Sequence, residues 1–331
     1  MAPEAPPTPN FGIVAIGRNE GERLRRCLES AMAATPCVVY VDSGSTDDSL
    51  EIAGKLGVEL VKLDLTVPFT AARARNAGFE RLSRRWPTLE LVQFVDGDCE
   101  LAPGWISAAT EFLADHPDYV AVHGRRRERF PEASIYNHLC DLDWDRPTGD
   151  ARAFGGDVMI RCRALADADG YREDFIAGEE PELCVRLRAR GWKIRSLAAE
   201  MTLHDAAMFR FGQWWRRSER CGYAYALGAS VHGGAPERHK VRETMRVWAW
   251  TLGPPLLAVA CGILLWPAGL LVLLVYPLQW ARLFRRAAGS PRLRALVALS
   301  ELVGKFAELQ GQLGWLRDRM TQRRRGLIEY K

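Results

Sequence analysis

Residues 91–98 read Leu91-Val92-Gln93-Phe94-Val95-Asp96-Gly97-Asp98, and this stretch decides the fold. Leu91–Val95 has the length and apolar character of a buried strand. It stops on two carboxylates separated by a glycine that lets the backbone turn. Acids in that place can hold Mg2+ or Mn2+ against a diphosphate. The tripeptide by itself also occurs as a solvated turn, so its weight comes from its surroundings.

Upstream, strands and helices alternate. Phe11–Ile16 is a short apolar run, and Glu20–Ala34 follows as a helical pattern with Leu24 and Leu28 four apart. Cys37–Val41 is a second apolar run, stopped by Asp42-Ser43-Gly44-Ser45, and Asp47-Asp48 opens the next helix, where acids suit the N-terminus. Val58–Leu65 reads as a third strand and Thr70–Trp86 as a third helix. This order predicts an α/β fold, a mostly parallel sheet covered on both faces. Ligands of such sheets bind beyond the carboxyl ends of the strands. The clusters Gly17-Arg18-Asn19-Glu20, Asp42-Ser43-Gly44 and Asp96-Gly97-Asp98 all fall there. Asp42 can accept hydrogen bonds from a nucleobase edge or a ribose hydroxyl, or can simply close an Asp–Gly turn. Arg75 can bring a cation to a nucleotide, or can be an ordinary surface arginine.

Downstream the pattern is mixed. Gly155-Gly156 precedes a short strand, and Pro181–Arg190 is a helix closed by Gly191. Proline favours the first helical position, which places Glu180 at the helix start. The helix dipole would then keep its carboxylate ionised, as a general base requires. The plainer alternative is that Glu179 and Glu180 only cap the helix electrostatically. His204 follows the apolar Met201–Leu203, where a lone histidine is more often structural than functional. In Gln213-Trp214-Trp215-Arg216-Arg217, indole faces suit sugar rings and guanidiniums suit phosphates.

Composition removes several classes. Of 331 residues, 48% are hydrophobic and 26% charged, enough for a large core, and a net charge of +4 is too small to argue for nucleic acid. The eight cysteines stand singly with no CxxC pair, so they read as reduced, mostly buried thiols. Met1–Asn10 is Pro-rich, with neither the basic start nor the apolar core of a signal peptide, and is expected to be disordered.

The successive motifs VAIGRNE, VDSGSTDDS, ARARNAG and FVDGDCEL resemble the nucleotide-binding half of family 2 glycosyltransferases with the GT-A fold. GGDVMIRCRAL, GYREDFIAGEEPELCVRLRARGW, MTLHDAAM and QWWRRSERCGY continue the likeness to about residue 228. The resemblance implies an inverting enzyme that uses a nucleoside diphosphate sugar, with a UDP-sugar favoured. It puts Asn19, Glu20, Asp42, Arg75 and Asp96 around the donor, and Asp98 and His204 on Mn2+ or Mg2+. Glu180 becomes the catalytic base, where the family usually carries an aspartate. Glu179, Trp214, Trp215, Arg216 and Arg217 fall to the acceptor, a saccharide or a lipid-linked sugar of cell-envelope or exopolysaccharide assembly. Arg125-Arg126-Arg127 and Asp141–Asp145 either line that side or are solvated charge. A nucleotidyltransferase would carry a Gly-rich basic loop near the first strand, which GRNEGERL is not, and an inactive membrane adaptor would tolerate loss of the acids retained here.

The expected organisation is a GT-A domain over 11–228, a connector over 229–246, a membrane hairpin over 247–284 and a basic interfacial tail over 285–331. As one helix, 247–284 would run about 57 Å at about 1.5 Å per residue, against a hydrocarbon core of about 30 Å. It carries Pro254, Pro255, Pro267 and Pro277, and both its flanks are basic. A hairpin turning near Pro267-Ala268-Gly269, either spanning or, since each arm is short, shallow and re-entrant, keeps both flanks on one side, at the cytoplasmic face of the plasma membrane, in contact with membrane lipids.

Overall fold

A computed structural model describes residues 10–322, apart from the side chains of 264, 265 and 268. The expected disorder of the first nine residues and the run Arg323-Arg324-Arg325 lie outside the described residues. The chain divides into two compact units: residues 1–130 with 140–206, and 131–139 with 207–331.

The first unit follows the alternation of its sequence. It contains β1 (Phe11–Gly17), α1 (Glu22–Ala34), β2 (Val38–Asp42), α2 (Ser49–Leu56), β3 (Glu59–Lys62), α3 (Ala71–Arg85), β4 (Leu91–Asp96), β5 (Cys99–Leu101), α4 (Trp105–Asp115) and β6 (Tyr119–Glu128). Helix α5 (Ile135–Trp144) is divided between the units, and β7 (Gly149–Asp150), β8 (Val158–Arg161), α6 (Cys162–Asp167), α7 (Glu179–Ala189) and β9 (Lys193–His204) complete the first. The sheet order is β3-β2-β1-β4-β8-β6-β9-β5, with β7 on β9. The β3-β2-β1-β4 half is parallel, β8 enters antiparallel between β4 and β6, and β6 pairs with β9 in parallel.

Strand β1 is apolar on both sides because each side meets helices. Ile13 and Ala15 face the cluster of Leu24, Leu28 and Trp105, while Val14 and Ile16 face that of Leu82, Phe94 and Leu183. Gly78 on α3 permits close packing, since a Cβ there would lie 2.9 Å from Val41. Helix α3 opens on Thr70, whose hydroxyl accepts from the Arg73 amide at 3.1 Å, an N-cap worth about 1 kcal/mol. Parallel strands deliver their carboxyl ends to one edge, where Asp42 is in register with Gly17 and Asp96 with Ile16.

The second unit is helical: α8 (Phe211–His232), α9 (Val241–Thr251), α10 (Gly253–Leu265), a 3-10 turn over Ala268–Leu274, α11 (Val275–Arg286) and α12 (Pro291–Met320). The break at 206/207 groups α8 with these helices, whereas the expected GT-A domain runs on to residue 228. Its core includes Trp214, Tyr223, Val247, Ala298 and Ala307. Gly222 and Gly311 let α8 and α12 touch backbone to backbone, because a Cβ on either would overlap a carbonyl of the other helix.

The expected localisation, anchored through a membrane hairpin, is corrected by the lengths of these helices. Among the described residues no helix is long and apolar enough to cross a membrane. Prolines divide the apolar run. Helix α10 restarts at Pro254-Pro255 and stops before Pro267, leaving 13 residues, or about 20 Å at about 1.5 Å per residue. Anchoring through this segment is therefore withdrawn.

Candidate active site at the carboxyl edge of the sheet

At the end of β4, Asp96 is gripped from both sides. Its Oδ1 accepts from Arg75 Nη2 at 3.0 Å and its Oδ2 from Arg126 Nη2 at 2.9 Å. Its backbone amide donates to Asp157 Oδ1 at 3.0 Å, and Asp157 also receives Arg126 Nε at 2.8 Å and the Thr202 hydroxyl at 2.6 Å. Burial would raise the Asp96 pKa, but the guanidiniums of Arg126 and Arg75 outweigh it and hold the carboxyl well below its usual range. Gly156 makes the arrangement possible: a Cβ there would sit 2.6 Å from Asp96 Oδ2 and 2.7 Å from Arg75 Nη2.

Arg75 is 2% exposed and meets three carboxylates. Besides Asp96 it donates to Glu179 Oε1 at 2.8 Å and lies 3.3 Å from Glu180 Oε1. The arginine expected on the nucleotide instead ties the strand-end acid to the first turn of α7. Glu179, expected at the acceptor, is 1% exposed against it. Glu180 keeps 16% of its side chain exposed. Burial, followed by the charge of Glu179, pushes its pKa up to about 7. The dipole of α7 does not keep this carboxyl strongly acidic, as the sequence had suggested; desolvation and a like charge win.

Two residues beyond Asp96, Asp98 meets His204. Oδ2 of Asp98 lies 3.2 Å from Nε2 of His204, whose Nδ1 is 3.0 Å from Oε2 of Glu128. Glu128 also accepts from the Ala206 amide, and the Trp144 ring packs edge-on against the imidazole at 4.4 Å between centroids. A carboxylate can only accept, so Nδ1 carries the proton, and burial lowers the proton affinity of the ring against the opposing Glu128 hydrogen bond. The Nε2 lone pair then faces an acceptor oxygen, a contact that a cation between them would relieve. An aspartate and a histidine backed by a second carboxylate fit a divalent ion. The Cys99 thiol joins them, with one ligand atom from each of Asp98, Cys99 and His204 lying within 4.8 Å of the others.

The remaining expected donor residues shape loops. Asp42 is 2% exposed, with Oδ2 accepting from the amides of Gly44 and Ser45 at 2.9 Å and Oδ1 from the Tyr40 hydroxyl at 3.1 Å. Asn19, at φ 56°, accepts from the Thr46 amide at 2.7 Å, and the Glu20 amide donates to Ser49 Oγ at 3.2 Å. These bonds stitch the loop after β1 to the loop after β2. Trp214, Trp215, Arg216 and Arg217 lie on α8 in the other unit. Trp214 is 6% exposed, with Tyr136 stacked on it at 6.3 Å, so it packs the helices where a sugar platform was expected. The Trp215 indole donates to Gln310 at 2.9 Å, Arg216 is exposed and Arg217 half-buried.

Sequence reasoning missed Glu128, Asp157 and Cys99. Glu128 lies 76 residues from its histidine and Asp157 lies 61 from Asp96, so no local pattern marks either. The only local signal was Gly155-Gly156, which places a site-lining backbone just before Asp157.

Residues 13–165 match the model of Glycosyl transferase family 2. A TPR repeat-containing protein of Synechococcus elongatus is 30% identical over 137 residues, 41% of this chain; the chain spans 32% of that relative's length. Among solved structures, a mannosyltransferase from Pyrobaculum calidifontis in complex with GDP-Man and Mn2+ superposes with a TM-score of 0.58 at 20% identity, covering 94% of this chain and 88% of that one. S. aureus TarS (1–349) superposes with a TM-score of 0.51 at 16% identity, covering 94% and 91%. The match over residues 13–165 marks a family 2 glycosyltransferase domain, with the acids at the carboxyl edge of a GT-A-like sheet.

Proposed function

We propose that the chain transfers a sugar from a nucleoside diphosphate sugar to an acceptor hydroxyl with inversion, using Glu180 as general base. One observation carries the reading. A carboxyl that takes a proton near pH 7 shares Arg75 with Asp96 at the strand end where a donor would bind. Glu180 removes the acceptor proton as the hydroxyl attacks the anomeric carbon, and a base acting without an enzyme nucleophile inverts that carbon. Asp96 receives the ribose, and the loops built by Asn19, Glu20 and Asp42 enclose the nucleoside. Arg75 positions Asp96 and Glu180, and Glu179 neutralises Arg75. Asp98 and His204 hold Mn2+ or Mg2+, which when bound neutralises the leaving diphosphate. The solved mannosyltransferase, which carries GDP-Man and Mn2+, supports this donor class.

The acceptor is a saccharide hydroxyl, free or on a lipid carrier. A panel of UDP- and GDP-sugars with Mn2+, each offered free and lipid-linked saccharides, tests the proposal. Wild type is expected to give product of inverted anomeric configuration by NMR. Retained configuration, or no turnover of any nucleotide sugar by folded protein, refutes it.

A further inference from the structure

We propose that the helical unit carries its own binding site for a saccharide ring, a pocket between α8, α9 and α12 lined by the Gln312 amide and the indoles of Trp248 and Trp315. The choice of a saccharide rests on the transferase reading; the pocket and its unpaired amide do not.

The pocket encloses about 320 Å3, within the range of small-molecule sites. Each of the three helices turns one face to it. On α12, Gln312, Trp315 and Arg319 follow one another at helical spacing, and on α9 Thr244 and Trp248 stand four apart. Ala226 and Ala229 of α8 are small, which leaves the room.

Gln312 is the residue that points to a ligand. It is 1% exposed, and among the described residues neither its Oε1 nor its Nε2 has a hydrogen-bond partner. The Thr244 hydroxyl oxygen is likewise buried and unpaired among them. Buried amides are ordinarily paired, because an unmet donor and acceptor give up their hydration for nothing. An apolar side chain of the same length would pack between these helices without that loss. A polar guest in the pocket would recover it.

The chemistry of the lining narrows the guest. The amide offers hydrogen-bond donors and an acceptor together. A hydrocarbon would leave both unmet, and an anion that took the Nε2 hydrogens would face the lone pairs of Oε1. A sugar hydroxyl donates and accepts at once, so adjacent hydroxyls can satisfy the amide and the Thr244 hydroxyl. The C–H face of a pyranose ring suits the indoles. Trp315 is steadied by Arg319, whose guanidinium carbon lies 5.3 Å from its ring centroid.

Saturation-transfer NMR on the full-length protein, with methyl glycosides of glucose, mannose, galactose and N-acetylglucosamine, reads the pocket without turnover. At least one glycoside should bind the wild type, and at least about 10-fold more weakly to folded Trp315→Ala and Gln312→Met. Gln312→Met should also raise the melting temperature of the ligand-free protein, since an apolar side chain of similar shape replaces two unpaired polar atoms. Failure of every glycoside to bind, a signal that both variants leave intact, a lowered melting temperature in Gln312→Met, or Gln312-dependent binding of benzoate in preference to every glycoside overturns the site. Sugar transfer by a protein with no Gln312-dependent binding overturns the pocket and leaves the transferase reading standing. A glycoside held here by a protein that transfers no sugar upholds the pocket and counts against the transferase reading alone.

Discussion

Nδ1 of His204 lies 3.0 Å from Oε2 of Glu128, a side chain wholly withdrawn from solvent. The pair holds the imidazole with its other nitrogen toward Asp98. Carboxylates behind metal-binding histidines typically contribute about 10–100-fold in metal affinity. Glu128→Gln keeps the shape but gives up the charge, so Mn2+ affinity by calorimetry should fall within that range while the protein stays folded. Unchanged affinity would mean that the pair serves packing only.

Glu180 gives a pH signature. Burial and the Glu179 charge raise its pKa to about 7, so below that pH it is protonated and cannot take the acceptor proton. Transfer should therefore climb as pH rises through about 7 and level off above it. Glu179→Gln removes the like charge and should move this limb to lower pH. Glu180→Gln should bind donor nearly normally while losing about 10²–10⁴-fold in turnover, and Glu180→Asp should retain measurable activity. The pH dependence of kcat checks all three, and an active Glu180→Gln would return the residue to a capping role.

Arg75 meets three acids while 2% exposed. Replacing it with methionine strands buried negative charge, a loss of about 3–5 kcal/mol. Arg75→Lys keeps one charge but not the two-pronged geometry, and should recover only part. Chemical denaturation measures both.

Gly156→Ala tests the cradle under Asp96. Its Cβ would lie 2.6 Å from one carboxylate oxygen and 2.7 Å from Arg75 Nη2, so one of them must move. Overpacking of this kind costs about 1–3 kcal/mol. The thermal shift produced by donor should shrink along with the melting temperature, while Gly155→Ala, where a Cβ meets open space, should leave both close to wild type.

The four parallel strands and the acids at their ends were legible because a buried strand needs an apolar run and its end needs a turn, and both are local. Predicted Leu91–Val95 is observed as Leu91–Asp96, and the predicted helix 181–190 as Glu179–Ala189. Strand β3 is shorter than predicted, ending at Lys62, because it lies at the sheet edge with β2 as its one strand neighbour among the described residues. The apolar stretch 247–284 misled because hydropathy adds up along a chain whether or not prolines divide the helix. An indole that stacks on a sugar looks the same in sequence as one that packs a core, so the burial of Trp214 beside Tyr136 was not legible there.

The sequence by itself determined the order of strands and helices, the identities of Asp96, Asp98, Glu180 and His204, and the family they point to. The tertiary structure alone decided their charges and partners. Arg75 reaches Glu179 across 104 residues, and Glu128 reaches His204 across 76. The proton affinity of a buried group is set by the charges that the fold brings within a few ångströms, and not by its neighbours along the chain.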